Sequence, residues 1–107
     1  MSKMTVEYKE KHHILEVDGV EYEIPTRTAE LEKKIREHDK SIYKMPEYEC
    51  NISMLEILFG KDDTKKMFPD GEKTNLDKLA LCTRMAIALY MTELHKIEAE
   101  DFGSKIK

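Results

Sequence analysis

The chain has 107 residues, 40% of them hydrophobic and 37% charged, and its 18 basic and 22 acidic side chains leave a net charge of −4. That length holds one domain with one modest core, and the interspersed charges describe a solvated surface rather than a disordered tail. The absence of a basic excess or a basic stripe argues against nucleic acid as a partner, and the longest apolar run, Met85 to Met91, is far too short to span a bilayer.

Residues 1–11 are polar and alternate weakly through Val6 and Tyr8, which fits a frayed arm or an added edge strand. Clear patterning begins at His12. His13, Leu15 and Val17 alternate with Ile14 and Glu16, Asp18-Gly19 follows, and Val20 to Ile24 alternates again. An Asp-Gly pair between two alternating runs predicts a type I′ hairpin, because both central residues must take positive φ. The two-residue turn sets Val17 opposite Val20, Leu15 opposite Tyr22 and His13 opposite Ile24, all six on one expected core face. Glu16 and Glu21 oppose each other on the other face, a mildly unfavourable pair that calls for solvent or a basic partner. A lone hairpin is marginal in water and needs a cover on its apolar side.

After Pro25, Thr26 or Thr28 can cap a helix running to about Tyr43, with Leu31, Ile35, His38 and Ile42 forming one narrow apolar stripe. Glu30 and Glu32 in its first turn suit the helix dipole, and Glu30–Lys34 forms an i,i+4 pair. Pro46 fits the first turn of a second helix, from about 46 to 59, whose apolar set is Tyr48, Ile52, Leu55, Ile57, Leu58 and Phe59. Gly60 stops it. Asp62 can cap a short turn from Asp63 to Phe68, and Pro69-Asp70-Gly71 makes a turn. Thr74 and Asp77 resemble a capping box that opens a final helix through about Ile97, and the polar tail from Glu98 to Lys107 is expected to fray.

From Leu79 to Met91 only Thr83 and Arg84 are clearly polar. A helix apolar nearly all round needs cover nearly all round, and a hairpin with two amphipathic helices covers only part of it. The remainder predicts a subunit or client interface at Leu81, Met85, Leu89 and Met91, with Phe102 in the tail as a small docking handle. Seven methionines, including Met54, Met67, Met85 and Met91, suit either core gap-filling or an adaptable binding surface.

Groups that could carry chemistry are sparse. His12 and His13 are adjacent on a strand and point to opposite faces, and His38 and His95 stand alone on separate helices. Cys50 and Cys82 lack a Cys-x-x-Cys or Cys-x-x-His neighbour; they are expected to be two buried, reduced and unreactive thiols. The chain has no Gly-x-Ser-x-Gly elbow, its four glycines are isolated, and Asp62-Asp63 and Asp70-x-Glu72 lack the ligand ladder of an EF-hand. The expectation is a non-enzymatic protein without metal or cofactor: an α+β, mostly helical single domain spanning 1–107, with an N-terminal β-hairpin followed by three to four helices, working in the cytoplasm.

The order of pieces adds a resemblance. The hairpin Leu15-Glu16-Val17-Asp18-Gly19-Val20-Glu21-Tyr22-Glu23-Ile24, the mid-chain Leu55-Glu56-Ile57-Leu58-Phe59-Gly60-Lys61-Asp62-Asp63 and the long apolar final helix together resemble the small tail assembly chaperones of long-tailed bacteriophages and prophages of Gram-positive hosts. The resemblance covers about residues 13–95. It implies a protein of the host bacterial cytoplasm that self-associates and binds the helical tape-measure protein, keeping it soluble until tail-tube subunits assemble. Two other classes stay open: a structural tail-completion or connector component, and a small DNA-binding regulator. The regulator is disfavoured because Lys33-Lys34-x-Arg36 is interleaved with Glu32 and Glu37.

Overall fold

The fold was obtained as a computed structural model, which describes residues 2–8 and 12–106, with side chains through Thr92. The elements are β1 (Ile14–Val17), β2 (Val20–Glu23), α1 (Ala29–Ser41), α2 (Glu47–Phe59), α3 (Lys61–Met67) and α4 (Leu76–Ile106), with short 3₁₀ turns at Ile42–Lys44 and Gly71–Lys73. The protein is therefore an α+β, mostly helical fold with its hairpin at the N-terminal side.

The hairpin has the register that its turn dictates. β1 and β2 run antiparallel, with Leu15 opposite Tyr22, Glu16 opposite Glu21 and Val17 opposite Val20. Asp18 and Gly19 take φ of 51° and 81°, the left-handed pair of a type I′ turn. Leu15, Val17, Tyr22 and Ile24 are buried in the core. Val20 departs from expectation at 50% exposure. The helical cover explains this: α4 packs against β1, so at the turn end only the β1 member of the Val17–Val20 pair is covered. His13 is half-buried, and Glu16 and Glu21 both face solvent. On their face, His12 pairs with Glu23.

Thr28 caps α1 by accepting the Leu31 N–H at 3.1 Å, and Glu30–Lys34 forms its ion pair at 3.7 Å. Leu31, Ile35 and His38 face the core as the stripe predicts, but Ile42 is exposed. The helix ends at Ser41 and tightens into 3₁₀ geometry, whose smaller residue count per turn rotates Ile42 off the stripe. In α2, Leu55 is fully buried and Leu58 and Met54 nearly so, while Tyr48, Ile52 and Phe59 pack at the margin. Gly60, at φ 88°, ends α2 and opens α3 in one step, so α3 begins at Lys61 without the expected Asp62 cap. Thr64 is buried and donates its hydroxyl to the Gly60 carbonyl at 2.8 Å.

The start of α4 corrects the capping-box expectation. Asn75, not Thr74, is the cap: its Oδ1 accepts the N–H groups of Asp77 and Lys78 at 2.9 and 3.1 Å. Thr74 instead closes the preceding turn through its N–H to the Gly71 carbonyl. The helix runs to Ile106, past the expected end near Ile97. Residues 2–8 carry no regular structure and are exposed, as an arm without strand pairing.

Replacing Gly19 with Val would force a β-branched residue to positive φ. The expected outcome is a loss of about 1–3 kcal/mol, read as a lower denaturant midpoint with an unchanged m-value. An unchanged midpoint would argue against this turn.

Candidate protein-binding surface

The surface is built on α4. Leu79, Cys82, Thr83, Ala86 and Tyr90 are buried, a spacing that puts them on one side of the helix. Thr83, the polar interruption in the apolar run, is inside because its hydroxyl donates to the Leu79 carbonyl at 2.9 Å. Leu81 and Met85 point the other way, at 57% and 49% exposure, with Leu76 and Ile87 also exposed. Leu89 and Met91 are partly buried against the core, so of the expected interface residues they have the least free surface. The side chains of Phe102 and His95 lie outside the described residues.

Among the described residues, two apolar grooves flank α4. One, of about 200 Å³, runs between residues 15–18, at the end of β1 and the start of the turn, and Leu81, Cys82 and Met85. At its end Lys78 Nζ meets Asp18 Oδ2 at 2.5 Å; this exposed pair adds little energy but marks where the hairpin tip rests. The other, a cleft of about 320 Å³ between α1, α2 and α4, is lined by Ile35, Met54, Leu58, Ile87, Tyr90 and Met91, with Glu32 and Asp39 at its rim.

Two polar ties hold the walls of that cleft. In the first, Glu32 Oε1 accepts from Arg27 Nε at 2.7 Å and from the Tyr90 hydroxyl at 2.9 Å, joining the start of α1 to α4. The Arg27 hydrogen bond, and then that of Tyr90, holds the Glu32 carboxyl below the usual range. Burial, and then the bond to Glu32, pushes the Tyr90 phenol up to about 12. In the second tie, buried His38 Nε2 lies 2.7 Å from Ser53 Oγ and 3.2 Å from the Cys50 carbonyl. Ser53 Oγ is itself 3.0 Å from that carbonyl, so the consistent arrangement has Nε2–H donating to Ser53 and the Ser53 hydroxyl donating to Cys50.

Ser53, His38 and Asp39 invite comparison with a nucleophile, base and orienting acid. Asp39 stands 3.9 Å from His38 Nδ1, beyond hydrogen-bond reach. Ser53 is mid-helix with its hydroxyl directed to its own helix backbone, so the neighbouring amides are committed to the helix and no oxyanion site forms beside it. The arrangement is a helix-to-helix tie.

Cys82 is buried and Cys50 only half-buried, which corrects the expectation of two buried thiols; both are free. Burial pushes both thiols up, and Asp39 adds to this at Cys50. Among the described residues no three His, Cys, Asp or Glu side chains gather as a metal-binding set, and no helix is long and apolar enough to cross a membrane.

Sequence reasoning placed His38 on the packed stripe but missed Ser53, Arg27 and the Glu32–Tyr90 bond. One signal was present: a tyrosine inside an apolar helical run needs a partner for its hydroxyl when buried.

Two measurements follow. Cys50 should react with a thiol reagent faster than Cys82 in the native state, and both rates should climb with pH because the raised pKa keeps the thiolate scarce; equal rates would contradict the burial difference. Tyr90→Phe should cost about 1–2 kcal/mol near neutral pH. A phenol whose folded pKa exceeds its unfolded value stabilises fully below the unfolded value and loses that contribution as pH rises through about 12. Wild-type stability should therefore fall between about pH 10 and 12, and the Tyr90→Phe variant should lack that component in denaturant titrations.

Comparison of the chain with protein-family models, with curated proteins and with solved structures found no match.

Proposed function

We propose that the protein is a tail assembly chaperone-like binder of a helical client, of the tape-measure kind, and that it self-associates. The observation that carries this reading is the apolar cleft between α1, α2 and α4. A groove between helices takes the apolar face of an amphipathic helix, with anchors at helical spacing. Two of its lining side chains, Met54 and Met91, are flexible thioethers that adapt to varied client residues. Charged residues over the rest of the surface keep a chaperone of this kind in solution while it holds an insoluble partner. The resemblance of the hairpin and the Leu-x-x-Leu-Phe-Gly segment supports the same reading. Self-association is assigned to the opposite flank of α4, where Leu81 and Met85 are exposed.

Co-expression with a tape-measure protein tests the client branch. The wild-type chain should raise the soluble fraction of the client. Ile87→Glu places a charge in the wall of the cleft, on a side chain that is 38% exposed. It should abolish client capture with helicity unchanged. A client that stays insoluble with the wild type, or is rescued equally by Ile87→Glu, would overturn the proposal.

A further inference from the structure

The groove beside Leu81 and Met85 is bounded on its other side by three consecutive β1 residues, Leu15, Glu16 and Val17, and by the turn residue Asp18. Consecutive strand residues point to opposite faces, so what they share is the strand's edge: the groove follows the side of β1 turned away from β2. The hydrogen-bond pattern identifies the groups on that edge. The Ile24 N–H donates to the His13 carbonyl at 2.8 Å. Bonded and non-bonded pairs alternate along an antiparallel ladder, so Leu15 and Val17 also bond to β2, and Ile14 and Glu16 direct their N–H and C=O groups outward. The sheet has two strands, so among the described residues none pairs with this edge. An open edge over an apolar floor is a template for an added strand.

The same chain carries a segment with the matching pattern. In the arm, Met4, Val6 and Tyr8 alternate with Lys3, Thr5 and Glu7, which is strand periodicity. All three apolar side chains are exposed, Met4 at 95% and Val6 at 92%. As a strand, Met4 to Tyr8 would span about 13 Å, against about 10 Å of α4 from Lys78 to Met85. Between Tyr8 and β1 the sequence is Lys9-Glu10-Lys11-His12-His13, without the Gly, Asn, Asp or Pro that a tight reversal favours. That composition works against the arm folding back onto its own β1.

We propose that residues 4–8 of a second copy of this chain add as a third strand to the free edge of β1, with Met4, Val6 and Tyr8 laid over Leu81 and Met85, and that the exchange is mutual. A mutual exchange about a twofold axis closes at the dimer. The inference rests on the self-association in the proposed function and names its surface; the client cleft on the other flank of α4 stays open.

Single-cysteine chains of two sizes, both carrying Cys50→Ser and Cys82→Ala, test it. One bears Val6→Cys and the other Leu81→Cys. On mild oxidation of the mixture a disulfide of summed mass should form, and Glu7→Cys in place of Val6→Cys should give much less. Light scattering should read about twice 12.6 kDa for the wild type, and the mass of a single chain for one lacking residues 2–8 or carrying Val6→Asp. Exchange of the Ile14 and Glu16 amides should slow with protein concentration in the wild type only. A monomeric disulfide in a Val6→Cys, Leu81→Cys chain would overturn the proposal in favour of the chain's own arm. A mass unchanged by arm deletion, or equal cross-linking from Glu7→Cys, would overturn it outright. Arm deletion should leave client capture intact, whereas Ile87→Glu should remove capture and leave the mass unchanged, so the two readings fail separately.

Discussion

Two four-residue strands cannot hold together in water, and the rest of the molecule is arranged around that constraint. Leu15, Val17, Tyr22 and Ile24 form one apolar face on the hairpin, and a two-stranded sheet needs a second layer to keep such a face dry. α2 and α4 pack against each other, and α4 also lies along β1. Leu55 of α2 and Leu79 of α4 are fully excluded from solvent, the signature of a core reached from several sides at once. Tyr22 meets Phe59 edge-to-face with ring centroids 6.1 Å apart, which fixes the β2 side of the hairpin to the end of α2.

That arrangement spends one side of α4 on the core and leaves the other without cover. Leu79, Cys82, Thr83, Ala86 and Tyr90 satisfy the hairpin and α2. α1 reaches α4 through the Arg27–Glu32–Tyr90 group, and the cleft remains between α1, α2 and α4. On the other flank Leu81 and Met85 stay about half exposed beside β1. Among the described residues no further element packs on this flank or pairs with the outer edge of β1.

The polar ties make the cleft a preformed one. His38 joins α1 to α2 through Ser53 and the Cys50 carbonyl, and Glu32 joins α1 to α4. Hydrogen bonds of this kind, partly buried at His38 and Tyr90, add to the angle between helices a directionality that apolar contact lacks. Walls held in place with flexible methionines between them fit the helical client that we propose.

Several features could be read directly from the amino-acid order because they are local. Asp18-Gly19 encodes the turn and with it the strand register; a threonine after Pro25, Thr26 or Thr28 by sequence and Thr28 in the structure, caps α1; Gly60 ends α2; the 3.6-residue pattern places Leu31, Ile35 and His38 on one face. Each of these depends on neighbours within a few residues, where chain geometry leaves few choices. The run from Leu79 to Met91 was legible as a surplus of apolar surface, but its orientation was not. Thr83 lies inside and Leu81 outside, an inversion of their hydropathies, because the face a helix buries is set by which partners reach it. The exposure of Val20, the choice of Asn75 over Thr74 as a cap, and the meeting of Glu32 with Tyr90 across 58 positions of sequence have the same character. Local sequence determined the elements and their ends; packing among them decided which faces are covered, because burial is a property of the assembled layers and no single segment contains it.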